Sequence, residues 1–244
     1  MPSVTKFDGT VVEYVEVHDE PIHRRQFDNE YCWIYIAGFR PGETSLWHRH
    51  SEDTLYVSLN SVAALNRPTD KEPFVHHASH GDLWWSMCKL RPFVHQVCLL
   101  PENLRPSQFY AMEILRPPPV GARSPLSHKS YDLQLSHSRP GLARVYKLRL
   151  SPGESTGKHT WGFYGVVISM SDGSVVDNDE AGCDDGNPFK DGNMCKLGSW
   201  RWVEGPLTFS IHNVGTTVYE AIVVEWLLTS VVNLKGEGPL NGKL

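Results

Sequence analysis

Two histidines separated by one residue, His48 and His50, stand between the turn sequence RPGE and an apolar run. Residues two apart in a β-strand point to the same face, so both imidazoles would project from one side of a strand. His95 lies in a second strand-like segment, FVHQV. Three imidazoles that converge inside a small barrel would suit a divalent metal ion. The alternative is a set of surface or hydrogen-bonded histidines, since the chain contains 12 of them.

The segment that follows the two histidines carries the candidate catalytic residues, Tyr56 and Thr54. If Thr54, Tyr56 and Ser58 form the inward row of the next strand, the Tyr56 hydroxyl points towards the metal. A phenol at that place can act as acid, base or anion stabiliser. The alternative for Tyr56 is an ordinary aromatic residue of a strand.

An internal repeat runs through the chain. The tripeptide Pro-Gly-Glu occurs at residues 41–43 and again at 152–154. The same offset of 111 residues matches Tyr35 with Tyr146, His48 with His159 and Ser58 with Ser169. Downstream, an offset of 117 residues aligns Gly81, Trp85, His95 and Val97 with Gly198, Trp202, His212 and Val214. These matches predict two copies of one domain.

A proline-rich segment, RPPPVGARSPL at residues 116–126, separates the two copies. Consecutive prolines cannot continue a β-ladder, and the composition is typical of an extended linker. We therefore predict two domains, residues 1–118 and 119–244. Each copy contains short segments rich in Val, Ile, Tyr and Trp, separated by Pro-Gly, Asp-Gly and Gly-Pro turns. The pattern predicts an all-β fold, a sandwich or barrel repeated once.

Composition and charge limit the classes of partner. The 244 residues carry a formal net charge of -5, which argues against broad attraction to nucleic acid or anionic lipid. No apolar run approaches the ~18 residues of a membrane span, and the N-terminus lacks the apolar core of a secretion signal. Five scattered cysteines without a CxxC pair indicate a reducing setting. We expect a cytoplasmic monomer or homodimer that acts on a small molecule, not on nucleic acid or a membrane.

The pattern PGE-x4-HRH-x3-T-x-Y, followed by G-x13-H, resembles the two sequence motifs of the cupin superfamily. The resemblance covers roughly residues 30–115 and 140–228. It implies two tandem cupin-type jelly-roll β-barrels, a bicupin, with a metal in the first barrel on His48, His50 and His95. The family's glutamate, four residues after the HxH pair, is Thr54 in this chain. The implied ligand set is therefore three neutral histidines plus water, as in the thiol dioxygenases and diketone-cleaving enzymes among the cupins.

The second copy departs further from the family pattern. Its HxH has become His159-Thr160-Trp161, and Gly165 stands where the first copy has Thr54. His159 and His212 remain, but two histidines alone make a weak metal site. We expect a filled, degenerate barrel there, with a weakly held ion as the alternative.

The resemblance implies one divalent metal ion per chain, with Fe(II) or Zn ahead of Mn, Ni and Cu. The first functional hypothesis is an Fe(II)-dependent oxygenase acting on a small molecule. The second is a non-redox lyase, isomerase or hydratase, similar to carbonic anhydrase or to the cupin lyases of dimethylsulfoniopropionate, which carry a tyrosine at the place of Tyr56. The third is a binding protein that holds a small ligand without converting it.

Two further segments lie outside these motifs. Residues 172–195 carry seven acids against one base, and we interpret them as a solvated insertion between strands. The C-terminal stretch VVNLKGEGPLNGKL is predicted to be largely irregular.

Overall fold

The computed structural model describes residues 1–122, 124–177, 187–192 and 194–228. Within these ranges the chain forms 21 β-strands and three short 3₁₀ helices, with no α-helix, so the all-β prediction is confirmed. None of the helices described there is long and apolar enough to cross a membrane. The C-terminal stretch after residue 230 and the centre of the acidic segment lie outside the described residues.

The chain divides into two compact units between Arg116 and Pro117, inside the proline-rich segment. Lys196–Gly198 group with the first unit. The strands of the first unit are β1 (Ser3–Thr5), β2 (Val11–Glu13), β3 (Val15–Glu16), β4 (His23–Asp28), β5 (Cys32–Ala37), β6 (His48–His50), β7 (Asp53–Ser58), β8 (Val62–Pro68), β9 (Phe74–Ala78), β10 (Leu83–Ser86), β11 (Phe93–Leu99) and β12 (Phe109–Ile114). A 3₁₀ helix, Val17–Asp19, connects β3 to β4.

Two five-stranded sheets build the first unit. One has the strand order β10-β7-β12-β5-β4, the other β3-β6-β11-β8-β9, and β1 pairs with β2 separately. Apolar side chains of both sheets share one buried cluster, which includes Ala37 and Phe109 from the first sheet and Ala64 and Leu99 from the second. The sheets therefore pack face to face, and their inward rows alternate along each strand with outward rows.

The second unit contains one five-stranded sheet and two strand pairs. Its strands are β13 (Tyr131–Leu133), β14 (Ala143–Leu150), β15 (His159–Trp161), β16 (Tyr164–Ser169), β17 (Val175–Val176), β18 (Trp200–Glu204), β19 (Leu207–Phe209), β20 (His212–Asn213) and β21 (Tyr219–Trp226). Two 3₁₀ helices, Leu135–His137 and Lys190–Gly192, complete it. Its main sheet has the order β13-β14-β21-β16-β18, while β15 pairs with β19 and β17 with β20.

Strand pairing shows the internal repeat directly. In the first unit β7 lies between β10 and β12, and in the second β16 lies between β18 and β21. Gly81 precedes β10 and Gly198 precedes β18, and both have a left-handed backbone, with φ of 83° and 79°. Glycine adopts this conformation without the clash that a Cβ would cause, which explains why the residue recurs at both turns. The alignment of Gly81 and Trp85 with Gly198 and Trp202 therefore holds.

The alignment of His95 with His212 is wrong. In the first unit His95 on β11 pairs with His48 on β6, whereas in the second unit Phe209 on β19 pairs with His159 on β15. The bridges beside these strands agree, since Thr44 meets Cys98 and Ser155 meets His212. The segment from β18 to β19 is thus three residues shorter than the segment from β10 to β11. The counterpart of His95 is Phe209.

Candidate metal centre

Strand β6 brings His48 and His50 to one inward face. Both side chains are almost fully buried, with exposed fractions of 0% and 2%. Strand β11 runs antiparallel to β6 and places His95 directly opposite His48. The period of two within β6 and the register between the strands together gather the three imidazoles, because paired residues present their side chains on the same face of a sheet.

The three rings form a compact cluster. Their centroids are 4.5 Å apart for His48 and His95 and 5.0 Å for the two other pairs. One nitrogen from each ring lies within 4.8 Å of the others, and this is the one such group of potential ligands found among the described residues. The Nε2 atoms of His50 and His95 are 3.1 Å apart. Nitrogens bound to one ion at about 2.0–2.2 Å would lie roughly 3 Å apart, so the spacing suits ligation.

Hydrogen bonds set the tautomers of two of the rings. His48 Nδ1 lies 3.0 Å from the carbonyl oxygen of Leu46, and His95 Nδ1 lies 3.1 Å from Oδ1 of Asn66. These oxygens accept, so each Nδ1 carries the proton and each Nε2 presents a lone pair to the cluster. His48 Nε2 is buried with no hydrogen-bond partner. A buried nitrogen without a partner, beside two others, is satisfied by a cation that accepts lone pairs, so the residues fit a divalent metal.

Burial keeps the cluster neutral. It lowers the pKa of His48 to about 4. The pKa values of His50 and His95 also fall well below the usual range, first because of burial and then because neighbouring histidines disfavour a second positive charge. Neutral imidazole is the form that binds metal, and these rings hold it at pH 7 without a metal to displace their protons.

Tyr56 approaches the cluster from β7. Its hydroxyl lies 3.5 Å from Nδ1 of His50, and its ring stacks on Trp84 with centroids 5.1 Å apart and planes at 6°. Burial raises the pKa of the phenol, and side-chain hydrogen bonding, including that to Ser86, opposes the rise. The hydroxyl therefore stays protonated at neutral pH and can donate a proton or a hydrogen bond.

Thr54 is fully buried on the same strand, but its Oγ1 donates to the carbonyl oxygen of Glu52 at 3.0 Å. Glu52 itself pairs with Lys89 at 3.0 Å, so its carboxylate is directed to a surface lysine. Because the hydroxyl already donates to the backbone, its position gives no direct support to a catalytic role. That role stays a prediction.

Two buried residues near the histidines belong to no sequence motif, and the sequence analysis did not identify them. His23 on β4 meets His48 edge to face, with centroids 4.7 Å apart, and its Nδ1 is buried without a partner. Glu113 on β12 is 1% exposed and lies opposite Thr54. Burial lowers the pKa of His23 and raises that of Glu113, where a hydrogen bond from His18 opposes the rise. A glutamate within the apolar strand AMEIL, repeated as Glu225 in VVEWL, was the available signal for Glu113.

A cavity of about 350 Å³ opens beside the cluster. Two of its lining residues adjoin residues of the site: the Phe93 ring lies 4.7 Å from that of His95, and Ser86 pairs in the sheet with Thr54. Met87, Pro92 and Val94 add apolar surface, and the rim carries Asp70, Lys71 and Arg91. Its lining does not include the three histidines or Tyr56, so Phe93 and Ser86 are its links to the site.

The corresponding place in the second unit is filled. Trp161 takes the position of His50 and is fully buried, with its ring 4.9 Å from that of Phe209, the counterpart of His95. Its Nε1 donates to the Tyr131 hydroxyl at 3.1 Å, and that hydroxyl donates to His159 Nε2 at 2.7 Å. One histidine of the three thus remains, and its Nε2 is already used.

No family model matches the chain, and no curated protein matches it. Solved structures do. A cupin 2 conserved barrel domain protein from Leptotrichia buccalis aligns with TM-score 0.52 at 10% identity, over 87% of this chain and 90% of that one. Salicylate 1,2-dioxygenase from Pseudaminobacter salicylatoxidans gives TM-score 0.53 at 12% identity, over 83% and 76%. A variant of oxalate decarboxylase from Bacillus subtilis gives 0.51 at 10%, over 83% and 74%. At these identities the likeness shows the fold, an all-β cupin-type jelly roll.

Proposed function

We propose that this protein is a metal-dependent enzyme that acts on a small molecule, with one divalent ion held by His48, His50 and His95. The observation that carries the proposal is the convergence of three neutral imidazoles whose Nε2 atoms face each other, two of them 3.1 Å apart. Without a cation, His50 Nε2 could donate to His95 Nε2, but His48 Nε2 would stay buried without a partner. Buried polar groups that lack partners in a native fold call for an explanation, and a metal supplies it.

The leading hypothesis is an Fe(II)-dependent oxygenase. Three protein ligands leave coordination positions at which bound Fe(II) would supply redox chemistry with O2 beside the substrate. Salicylate 1,2-dioxygenase, one of the similar folds, supports this choice. The chain's own residues would exclude water from that space, since His48, His50 and the Tyr56–Trp84 stack enclose it.

A non-redox reaction is the second candidate, and Tyr56 is the observation that favours it. A protonated phenol 3.5 Å from a candidate ligand can transfer a proton in a lyase, isomerase or hydratase step. Oxalate decarboxylase from Bacillus subtilis carries Mn(II) centres on a similar fold.

The substrate of either reaction would enter through the 350 Å³ cavity. Phe93 and Met87 offer apolar contact, while Lys71 and Arg91 place positive charge at the rim. Asp70 lies 3.6 Å from Arg91 and offsets part of that charge. This lining favours a small anion with an apolar body.

Metal content of the purified chain tests the proposal. After reconstitution with Fe(II) without oxygen, we expect one ion per chain, none in His50→Ala, and an unchanged content in the control His159→Ala. The control alters the second unit, where the histidine nitrogen is bonded to Tyr131. Two ions per chain, or full occupancy in His50→Ala, would contradict the proposed site.

Oxygen uptake then separates the two reactions. A panel of small carboxylates should give O2 consumption that depends on Fe(II) if the protein is an oxygenase. Turnover with Zn(II) or Mn(II) and no O2 consumption would assign the non-redox class instead. Tight binding of a panel member without any turnover would favour a ligand-binding protein.

A further inference from the structure

Glu113 is a buried carboxylate with one oxygen accounted for and one free. The side chain is 1% exposed. Its Oε2 lies 3.0 Å from Nε2 of His18, whose half-exposed ring packs on Trp33 with centroids 3.8 Å apart. Its Oε1 has no hydrogen-bond partner and lies 4.0 Å from Nδ1 of His50. Burial of a carboxylate is unfavourable unless both oxygens are compensated, so the free oxygen requires a reason.

Nδ1 of His50 likewise lacks a close hydrogen-bond partner. The Nδ1 atoms of His48 and His95 are each held by an oxygen at 3.0 Å and 3.1 Å. The oxygens nearest to Nδ1 of His50 are farther away, the Tyr56 hydroxyl at 3.5 Å and Glu113 Oε1 at 4.0 Å. His50 is therefore the candidate ligand whose ring is held least firmly, and a free carboxylate oxygen faces it.

The internal repeat shows what the same carboxylate does without a metal site. Glu225 lies opposite Gly165 and Arg144, as Glu113 lies opposite Thr54 and Trp33. Its Oε1 accepts from Arg144 at 2.8 Å, and its Oε2 accepts from the Tyr146 hydroxyl at 2.6 Å. Both oxygens are thus satisfied within the second unit. In the first unit Trp33 replaces the arginine, and one oxygen is left to the histidine cluster.

We propose that Glu113 is a positioning residue: with metal bound, its Oε1 closes the 4.0 Å gap to His50, accepts the Nδ1 proton and so directs the Nε2 lone pair of His50 towards the metal. His18 holds the opposite oxygen and fixes the orientation of the carboxylate. The inference rests on the proposed metal site. Carboxylates that accept from a ligating histidine fix its tautomer and strengthen it as a ligand, and their removal costs about 10–100-fold in metal affinity.

The test compares Glu113→Gln with Glu225→Gln in the full chain. Each change keeps the shape of the side chain and removes its charge, at matching places in the two units. Affinity for Zn(II), measured with the metal alone against a competing chelator, should fall about 10–100-fold in Glu113→Gln. Glu225→Gln should keep the affinity of the wild type. The visible spectrum of Co(II) reports the ligand set itself, and it should change only in Glu113→Gln.

A variant at an exposed residue provides a second test in case Glu113→Gln does not fold. His18 is 53% exposed on its side chain, so His18→Gln should fold normally and weaken Zn(II) binding severalfold by loosening the carboxylate. If the wild type binds no metal, the proposed function fails and this inference with it. If the wild type binds and both Glu113→Gln and His18→Gln match it, the positioning role alone is overturned. Complete loss of metal in Glu113→Gln, equal to that in His50→Ala, would make Glu113 a direct ligand and would also overturn the role proposed.

Discussion

Tyr56 makes two separate contacts: its ring packs on Trp84, and its hydroxyl faces His50. Tyr56→Phe removes the hydroxyl and keeps the stacked ring. If the phenol transfers a proton in the reaction, turnover should fall about 10²–10⁴-fold while metal content stays at the wild-type value. Steady-state rates on the activity found with Fe(II) or Zn(II), together with metal analysis of each sample, measure the two effects.

Thr54→Val tests the second candidate catalytic residue and is compared with Tyr56→Phe. It removes a hydroxyl on the same strand, one that donates to the carbonyl oxygen of Glu52. Turnover that stays near wild type in Thr54→Val assigns the proton transfer to Tyr56. Turnover that survives Tyr56→Phe would assign the tyrosine to packing, and a joint loss of metal would show that it supports His50.

The sequence predicted the residues that a short spacing or a motif marks, and it missed those that strand pairing brings in. His48 and His50 share a face because they are two apart in one strand, which any strand dictates. Glu113 reaches the cluster because β12 pairs with β7, a contact between residues 59 positions apart in the pairing of Glu113 with Thr54. Periodicity within a segment carries no information on which segments pair. His23, on β4, was missed for the same reason.

At the scale of the strands, the repeat was predicted correctly in its first half and in β10, and wrongly in β11. The aligned glycines and tryptophans lie in equivalent turns and strands. The loop that leads from these strands to the next strand differs by three residues between the two units. His95 therefore corresponds to Phe209 and not to His212. Low identity gives no marker for such a gap. The pairing of the strands in the structure shows where the gap lies.

Trp161 fills the second unit at the position that corresponds to His50. The indole is fully buried, stacks on Phe163 with centroids 5.5 Å apart, and donates to Tyr131. Trp161→Ala should therefore lower the free energy of unfolding by about 3–5 kcal/mol, through the cavity it leaves. Urea denaturation followed by circular dichroism measures the change. Metal content should stay that of the wild type.

The matched control for Trp161→Ala is Thr160→Ala, the next residue on β15. Thr160 is exposed, and its hydroxyl bonds that of Thr208 at 2.8 Å on the surface. A surface change of this kind should stay within about 0.5 kcal/mol of wild type. Equal effects of the two substitutions would mean that the indole does not fill the second unit as described.

At the scale of the whole molecule, the two units differ in how they satisfy their buried polar groups. Each unit carries a buried tyrosine and a buried glutamate at matching positions, Tyr35 with Glu113 and Tyr146 with Glu225. In the second unit these groups satisfy each other and the interior is closed by aromatic rings. In the first unit histidines take the place of the aromatic rings, and polar atoms remain unpaired around them. We therefore expect the second unit to be stable without a ligand, and the first unit to gain stability from the proposed metal.

Hydrogen exchange of the full chain with and without metal tests this division. Binding to the folded state alone stabilises it by about 2.7 kcal/mol when free Zn(II) is 100 times its Kd. Because all three proposed ligands lie on β6 and β11, Zn(II) should slow exchange at His48–His50 and Phe93–Leu99. The backbone amides of Tyr164–Ser169 and Tyr219–Trp226 should exchange as before. His50→Ala should abolish the protection, and His159→Ala should preserve it. Metal-dependent protection centred on the second unit would place the site in the wrong half of the chain.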